Sequence, residues 1–290
     1  MQENGNGIVD LHCHTKASDN TMTAREVARA AKEAGVRYLA ITDHDTTSGL
    51  EAAMEAGRAE GVRIISGIEI SAYDFERERK VHILGYGIAR DHPAIAGVCD
   101  PILRRRHEAS RLAFDKIVEA GYDIRWERVI GLADGGSAVY KQHLMHALME
   151  RGYCDALNGE LYRSLFAPAK ADGEAGIAYV PIRYADAREA IRAVKAAGGV
   201  PVLAHPGQQQ NYDGIADWTE AGLEGIEVVH PSHSQEEEEK ASSYARRFGL
   251  LETGGSDYHG MYGSAKYPLG SKDAGMERLG ELLRRIGRGE

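Results

Sequence analysis

Histidines and carboxylates in short clusters are the residues of this sequence that could do chemistry. Two clusters are a His-x-His and an Asp-His-Asp motif, and single residues of the same types follow apolar runs elsewhere. The set comprises His12, His14, Asp43, His44, Asp45, Glu69, His82, His205, Asp257 and His259. Imidazole and carboxylate groups are good ligands for zinc, manganese and iron, so the set indicates a metal site.

Each of these residues falls at or just past the end of a predicted strand. Apolar runs predict strands over 8–12, 38–42, 64–70, 81–86, 200–204 and 225–229, and helical patterns cover 24–34, 49–60, 186–197 and 235–248. Strands that alternate with helices of this length pair in parallel through right-handed crossovers, which gives a barrel or a wound sheet. Because the carboxyl ends of parallel strands open on one face, we expect these distant residues to converge there.

Taken singly, each motif also has an ordinary explanation. A lone His-x-His pair is often incidental, and the aspartates of an Asp-His-Asp motif could cap a helix. Glu69 is more informative, because a carboxylate inside an apolar strand needs a cation or a metal to compensate its charge. Cys13 lies between two histidines, but on a strand it points to the opposite face, so we expect it to be buried and apolar.

The composition restricts the partners and the compartment that we expect. A formal net charge of −9 argues against a stable nucleic acid complex or an anionic membrane, whereas a small phosphorylated substrate remains compatible with it. Three separated cysteines without a CxxC motif favour a reducing cytoplasm. Residues 1–7 lack the features of a signal peptide, and no apolar run approaches the ~18 residues that span a bilayer. The oligomeric state has no signature in the sequence.

The rhythm of strands and helices changes in the middle of the chain. From about residue 94 to residue 182, long charged helical stretches dominate and strand candidates are few. We therefore predict a barrel that carries the metal site, formed by residues 1–93 and 183–290. Residues 94–182 are predicted to be a mostly helical insertion that covers the active site.

Five segments of the chain resemble the motifs of a known family. The segments are 10–14 with Ser18 and Asp19, 42–45, 67–71, 204–207 and 255–259. They are similar to the motifs of the PHP (polymerase and histidinol phosphatase) family, within the amidohydrolase superfamily. The resemblance implies an α/β fold, a distorted (β/α)7 barrel, with two or three divalent ions of manganese, iron or zinc. Asp19, in a predicted loop, is a candidate ligand only through this resemblance.

The resemblance also implies which residues hold each ion. The first ion would be bound by His12, His14, Glu69 and Asp257. The second would share Glu69 as a bridge and add His82 and His205. The third would be bound by Asp19, His44 and His259.

The implied reaction is attack of a metal-bound hydroxide on phosphorus. Three divalent ions and three ionised carboxylates would leave a net charge of about +3 to bind a phosphate dianion. Because histidine ligands must be neutral, activity should fall below about pH 6.5. The candidate catalytic residues are Asp45, His205 and His233.

The family resemblance is greatest to enzymes that hydrolyse small phosphorylated metabolites: phosphorylated or cyclic-phosphate sugars, or nucleoside bisphosphates. His230 and His233 follow a strand and are candidate substrate-binding residues, with a structural role in the turn around Pro231 as the alternative. Lys141, His143 and His146 are further candidates in the insertion, where a solvated helix face is the alternative. Lys141 and His146 replace arginines of the nucleotide bisphosphatases, which weakens the case for the same phosphate clamp and favours another sugar or nucleotide, including a cyclic phosphate.

Three other functions are compatible with these motifs. A C–N bond amidohydrolase could share the His-x-His motif, although its common bridging lysine is absent from the predicted strand ends. A 5'-3' exonuclease of short oligonucleotides belongs to the same branch of the family. The third is a non-catalytic barrel that only binds metal or nucleotide. Such a protein should lack some of the metal-binding residues, whereas all nine predicted metal ligands are present in this sequence.

Overall fold

A computed structural model describes residues 7–169 and 173–287. The segment 1–7, interpreted above as lacking a signal peptide, lies outside the described residues except for Gly7. The strands of the described part are β1 (Ile8–Asp10), β2 (Val36–Ile41), β3 (Arg63–Asp74), β4 (Arg79–Tyr86), β5 (Ala185–Asp186), β6 (Val200–Leu203), β7 (Gly225–Val229) and β8 (Leu251–Gly254). Its α-helices are α1 (Ala24–Glu33), α2 (Leu50–Glu60), α3 (Pro93–Glu119), α4 (Trp126–Leu132), α5 (Lys141–Glu150), α6 (Glu160–Phe166), α7 (Ala187–Ala196), α8 (Pro206–Gln209), α9 (Ile215–Glu220), α10 (Gln235–Phe248) and α11 (Met276–Ile286).

Local sequence signals explain where the first helix begins and which face it buries. The Thr23 side chain accepts a hydrogen bond from the Glu26 amide, and the Glu26 side chain accepts one from the Thr23 amide. This reciprocal capping box satisfies amide groups that a helix start otherwise leaves without partners. Val27 and Ala28 are buried, and so is Ala31, about one helical turn further on, so the three share the buried face. The predicted helix over 24–34 is confirmed.

The strands form one sheet, but the predicted closed barrel is not what the structure shows. The strand order is β1-β2-β3-β4-β6-β7-β8, with β5 beside β3, and among the described residues no ladder joins β8 to β1. β1 is only three residues long, so the two edges meet beyond the strands. There the Leu11 amide donates to the Gly254 carbonyl oxygen at 3.0 Å, and the His14 amide donates to the Tyr258 carbonyl oxygen at 3.0 Å.

The prediction of parallel pairing is wrong for β4, which is antiparallel to both β3 and β6. Residues 75–78 join β3 directly to β4, and a parallel connection would need a crossover of a dozen or more residues. The partner of His82 in the ladder is Ser71, so this histidine lies at the end of the sheet where β3 finishes. Because β4 runs in the opposite direction, His82 reaches this end of the sheet from the first half of its strand and not from the carboxyl end.

Two apolar clusters hold the sheet and its helices together. One contains Val9, Leu84, Val202 and Leu251 from the strands, together with residues of α11. The other lies among β1, β2, α1 and α2 and includes Cys13. Cys13 is fully buried there, which confirms its predicted apolar role.

The chain divides into two compact units, Met1–Cys99 with Tyr184–Glu290, and Asp100–Arg183. The described residues of the second unit form α4 to α6 and most of α3, and they contain no strand. Its buried side chains include Ile117, Val129, Leu144 and Leu165. Among the described helices, none combines the length and the apolar character needed to cross a membrane.

Candidate metal centre

The Glu69 carboxylate is the point on which the clustered histidines converge. Its Oε2 atom lies 3.2–3.3 Å from one ring nitrogen each of His12, His14 and His44. Its Oε1 atom lies 2.8 Å from His82 Nδ1 and 2.9 Å from His205 Nε2. The sheet therefore brings five histidines from four separate segments onto one buried carboxylate.

The donor atoms of His12, His14, Glu69 and Asp257 form the first compact group, all within 4.8 Å of one another. Asp257 Oδ1 lies 3.3 Å from His12 Nε2 and 3.2 Å from His14 Nε2. These three atoms are buried and make no hydrogen bond. Ligands held about 2.0–2.2 Å from one ion stand roughly 3.0–3.5 Å apart, so the spacing fits a shared cation.

A second group surrounds Asp19, whose carboxylate lies 3.4 Å from His259 Nε2 and 3.7 Å from His14 Nδ1. The donor atoms of His14, Asp19, His44 and His259 all lie within 4.8 Å of one another. Asp19 Oδ1 is also buried without a hydrogen-bond partner. The residues chosen by resemblance for the third ion are thus neighbours in space.

The residues chosen for the second ion share the other oxygen of Glu69. His82 and His205 both contact its Oε1 atom, and the donor atoms of His44, Glu69 and His82 also lie within 4.8 Å of one another. The remaining ring nitrogen of His205, Nδ1, is buried without a hydrogen-bond partner. All nine predicted ligands therefore lie in one contiguous cluster.

Two further carboxylates hold the loops that carry these groups. Asp43 accepts hydrogen bonds of 2.7 Å from the Thr15 amide, the Thr15 hydroxyl and the Ser18 hydroxyl. Asp10 accepts hydrogen bonds from the amide and hydroxyl groups of Ser256. These bonds tie the segment after β1 to the segments after β2 and β8, which sets the positions of Asp19 and Asp257.

Three site residues have backbone conformations that side chains rarely adopt. The φ angles are 57° at Asp45, 28° at His205 and 48° at Asp257. Positive φ costs on the order of 1–3 kcal/mol and persists only where the surroundings impose it, often at functional sites.

The cluster concentrates negative charge that attracts cations. Burial acts to raise the pKa of the Glu69 carboxyl, but the surrounding imidazoles, His44 and His82 foremost, hold it well below its ordinary value. Burial acts to lower the pKa of His14, yet Asp257 and Glu69 raise it to about 10. Burial dominates at His44 and lowers its pKa to about 3. Without a metal the carboxylates thus favour a protonated His14.

Comparison with known proteins decides the family. A family model for the PHP domain matches residues 10–199. The chain belongs to the PHP domain family. It is 48% identical to a phosphoribosyl 1,2-cyclic phosphate 1,2-diphosphodiesterase from Eggerthella lenta, over 88% of this chain and 95% of that protein. It is 32% identical to a 3',5'-nucleoside bisphosphate phosphatase from Chromobacterium violaceum, over 87% of each.

A solved structure of another protein shares the fold of this chain. The candidate metal-dependent phosphoesterase from Bifidobacterium adolescentis superposes with a TM-score of 0.86 at 29% identity, over 98% of each chain. The alignment spans both the sheet and the central helical region of the present chain. The fold is therefore shared over nearly the whole length.

One buried acid of this PHP-family site escaped the sequence analysis. Glu227 on β7 is fully buried, with Oε1 2.9 Å from His12 Nδ1 and Oε2 2.8 Å from the His205 amide nitrogen. Burial acts to raise the pKa of Glu227, but His12 and His230 lower it. Glu227 interrupts an apolar strand as Glu69 does, so the signal that identified Glu69 could have found it.

The two histidines after β7 have different surroundings. His233 Nδ1 lies 2.7 Å from the Val228 carbonyl oxygen, and its Nε2 accepts from the Gly207 amide at 3.0 Å. Both ring nitrogens thus bond to backbone groups, which favours the structural alternative for His233. His230 faces the cluster, with Nε2 3.4 Å from Asp257 Oδ2.

The remaining candidates are Asp45, on the loop after β2, and three residues of α5; the Asp45 amide donates to the Glu69 carbonyl oxygen at 2.9 Å. Asp45 accepts a hydrogen bond of 2.7 Å from the Ser71 amide, so one of its oxygens stabilises the loop after β2. Lys141, His143 and His146 all lie on α5 of the second unit. Lys141 packs over the ring of Phe166, and His143 accepts from the Tyr140 amide. Their proposed roles towards substrate stay predictions.

Proposed function

We propose that this PHP-family protein, a metal-dependent phosphoesterase, hydrolyses a cyclic phosphate ester of a phosphorylated sugar in two steps: one water opens the ring to a phosphate monoester, and a second water releases inorganic phosphate. The observation that carries the proposal is the convergence of buried donor atoms without hydrogen-bond partners on Glu69. The similarity to the Eggerthella lenta cyclic phosphate diphosphodiesterase supports the substrate class.

The ligand sets are those that the family resemblance implies, and the spacing of the donor atoms around Glu69 and Asp19 supports them. His12, His14, Glu69 and Asp257 would hold one ion, Glu69 with His82 and His205 a second, and Asp19 with His44 and His259 a third. Mixed histidine and carboxylate ligands suit manganese, iron or zinc. Bound divalent ions supply Lewis acidity, which neutralises charge on phosphate oxygens and lowers the pKa of water.

The protein's own groups would orient the phosphate beside these ions. His230 Nδ1 accepts a hydrogen bond from the Ser232 amide at 3.1 Å, so a neutral ring carries its proton on Nε2. Nε2 is buried without a hydrogen-bond partner and faces Asp257. His230 is therefore placed to donate to a phosphate oxygen of the substrate.

A substrate panel with manganese-reconstituted protein tests this proposal. Phosphate release from phosphoribosyl 1,2-cyclic phosphate is expected to exceed that from nucleoside 3',5'-bisphosphates by at least about 10-fold in kcat/KM. The matched control is the same protein after removal of metal, which should release no phosphate. Faster turnover of the nucleoside bisphosphates would contradict the substrate class, and absence of phosphate release from every ester would contradict the function.

Metal binding should release protons and strengthen as pH rises. His14 has a raised pKa of about 10 in the metal-free cluster, so it is protonated at pH 7, whereas a histidine ligand must be neutral. Binding at pH 7 is therefore expected to release about one proton or more per protein. Calorimetric titration with Mn²⁺ in two buffers of different ionisation enthalpy measures this number. Identical apparent enthalpies in both buffers would refute the prediction.

A further inference from the structure

Glu227 contacts two histidines of the cluster, His12 and His205, at nitrogen atoms other than those that lie near Glu69. It lies on β7, where it is fully buried, and each of its oxygens contacts one nitrogen atom of the protein. Oε1 lies 2.9 Å from His12 Nδ1, and Oε2 accepts from the His205 backbone amide at 2.8 Å. Its two partners follow β1 and β6 and belong to different proposed ion sites.

The contact with His12 determines which ring nitrogen can bind an ion. A neutral imidazole carries one proton, and the Glu227 carboxylate favours that proton on Nδ1. The lone pair is then left on Nε2, which lies 3.3 Å from both Glu69 Oε2 and Asp257 Oδ1. Carboxylates that hold a ligating histidine in this way also fix the plane of its ring.

The hydrogen bond from the His205 amide to Glu227 stabilises a strained backbone conformation at His205. The φ angle of His205 is 28°, outside the regions that residues other than glycine commonly occupy. Its amide is held by Glu227, and its ring Nε2 lies 2.9 Å from Glu69 Oε1. The orientation of this peptide determines where the ring points, so loss of the bond should let the ring move away from Glu69.

We propose that Glu227 is a positioning residue that holds His12 and His205 together and so couples two neighbouring ion sites. Its donor atom lies within 4.8 Å of donor atoms of His12 and His230, a spacing that a direct ligand could also have. However, both of its oxygens already meet protein N–H groups. The inference rests on the proposed metal site but not on the identity of the substrate.

Glu227→Gln tests the proposal, because glutamine keeps the shape but has one acceptor oxygen in place of two. Mn²⁺ affinity, measured by calorimetric titration without substrate, is expected to fall about 10–100-fold. The number of ions bound at saturation should equal that of the unmodified protein. The matched control is Glu252→Gln on the adjacent strand, where the carboxylate bonds to Arg278 outside the cluster, and its Mn²⁺ affinity should not change.

Three other results of these titrations would each lead to a different conclusion. Mn²⁺ binding by Glu227→Gln as tight as that of the unmodified protein would overturn the inference, and loss of one ion at saturation would identify Glu227 as a direct ligand instead. If the unmodified protein bound no Mn²⁺, the proposed function and the inference would both fail.

A measurement on the unmodified protein covers the case in which Glu227→Gln does not fold. In the Zn²⁺-loaded protein, nitrogen-15 NMR should show the His12 ring protonated on Nδ1, with a slowly exchanging proton. An unprotonated or rapidly exchanging Nδ1 would overturn the inference.

Discussion

Glu69→Gln is expected to lower phosphate release by at least about 10³-fold and to reduce the bound metal. The Glu69 carboxylate contacts five histidines, with three at one oxygen and two at the other. Glutamine has nearly the same volume, so packing should be preserved while the negative charge and one acceptor oxygen are lost. Steady-state phosphate release and metal content by mass spectrometry measure the two effects.

Glu252→Gln is the control for this experiment as well. It also removes a carboxylate from a strand of the same sheet, but Glu252 pairs with Arg278 and lies outside the cluster. Its activity and metal content should match those of the unmodified protein. Glu69→Gln protein with full metal content and activity within a few-fold of normal would contradict the assignment of Glu69 as a ligand.

Gly255→Ala is expected to lower the free energy of unfolding by roughly 1–3 kcal/mol and to weaken metal binding. A Cβ atom at Gly255 would lie 2.3 Å from the His12 amide nitrogen and 2.6 Å from His12 Cβ. The first of these is a backbone atom and cannot turn away, so the segment that carries His12 must shift from Glu69 and Asp257. Urea unfolding of the metal-free protein and titration with Mn²⁺ measure the two effects separately.

Gly280→Ala provides the matched control. Gly280 lies within α11, and a Cβ atom there would meet no other atom within 4 Å. Because alanine favours a helix over glycine by about 1 kcal/mol, this variant should be slightly more stable and should bind metal normally. If Gly255→Ala behaved like Gly280→Ala, the close approach of Gly255 to His12 would not be needed for the site.

Local patterns in the sequence predicted most of the elements and most of the cluster. The helical pattern over 24–34 predicted α1, and β7 and α10 occur with the predicted bounds. Glu69 was recognisable because a buried carboxylate must be compensated, whatever the fold around it. Asp19 had no such signal, since it lies in a loop, and only the family resemblance identified it.

The direction of β4 is a feature that local sequence patterns did not predict. An apolar run indicates a strand but not its direction, and only the short connection over 75–78 forces the antiparallel pairing with β3. His82 therefore reaches Glu69 from the first half of its strand. Glu227 and His233 illustrate the same limit, because whether a polar side chain serves a ligand or the backbone depends on its partners in space.

The sequence by itself determined the alternation of strands and helices, the chemical types of the site residues and the metal chemistry that they favour, because these depend on local periodicity and side-chain composition. The tertiary structure decided which donor atoms share a centre, which histidine nitrogens are held by the backbone and how the sheet edges meet. Those features depend on contacts between residues up to about 250 positions apart, such as Asp10 with Ser256, and no local pattern encodes them.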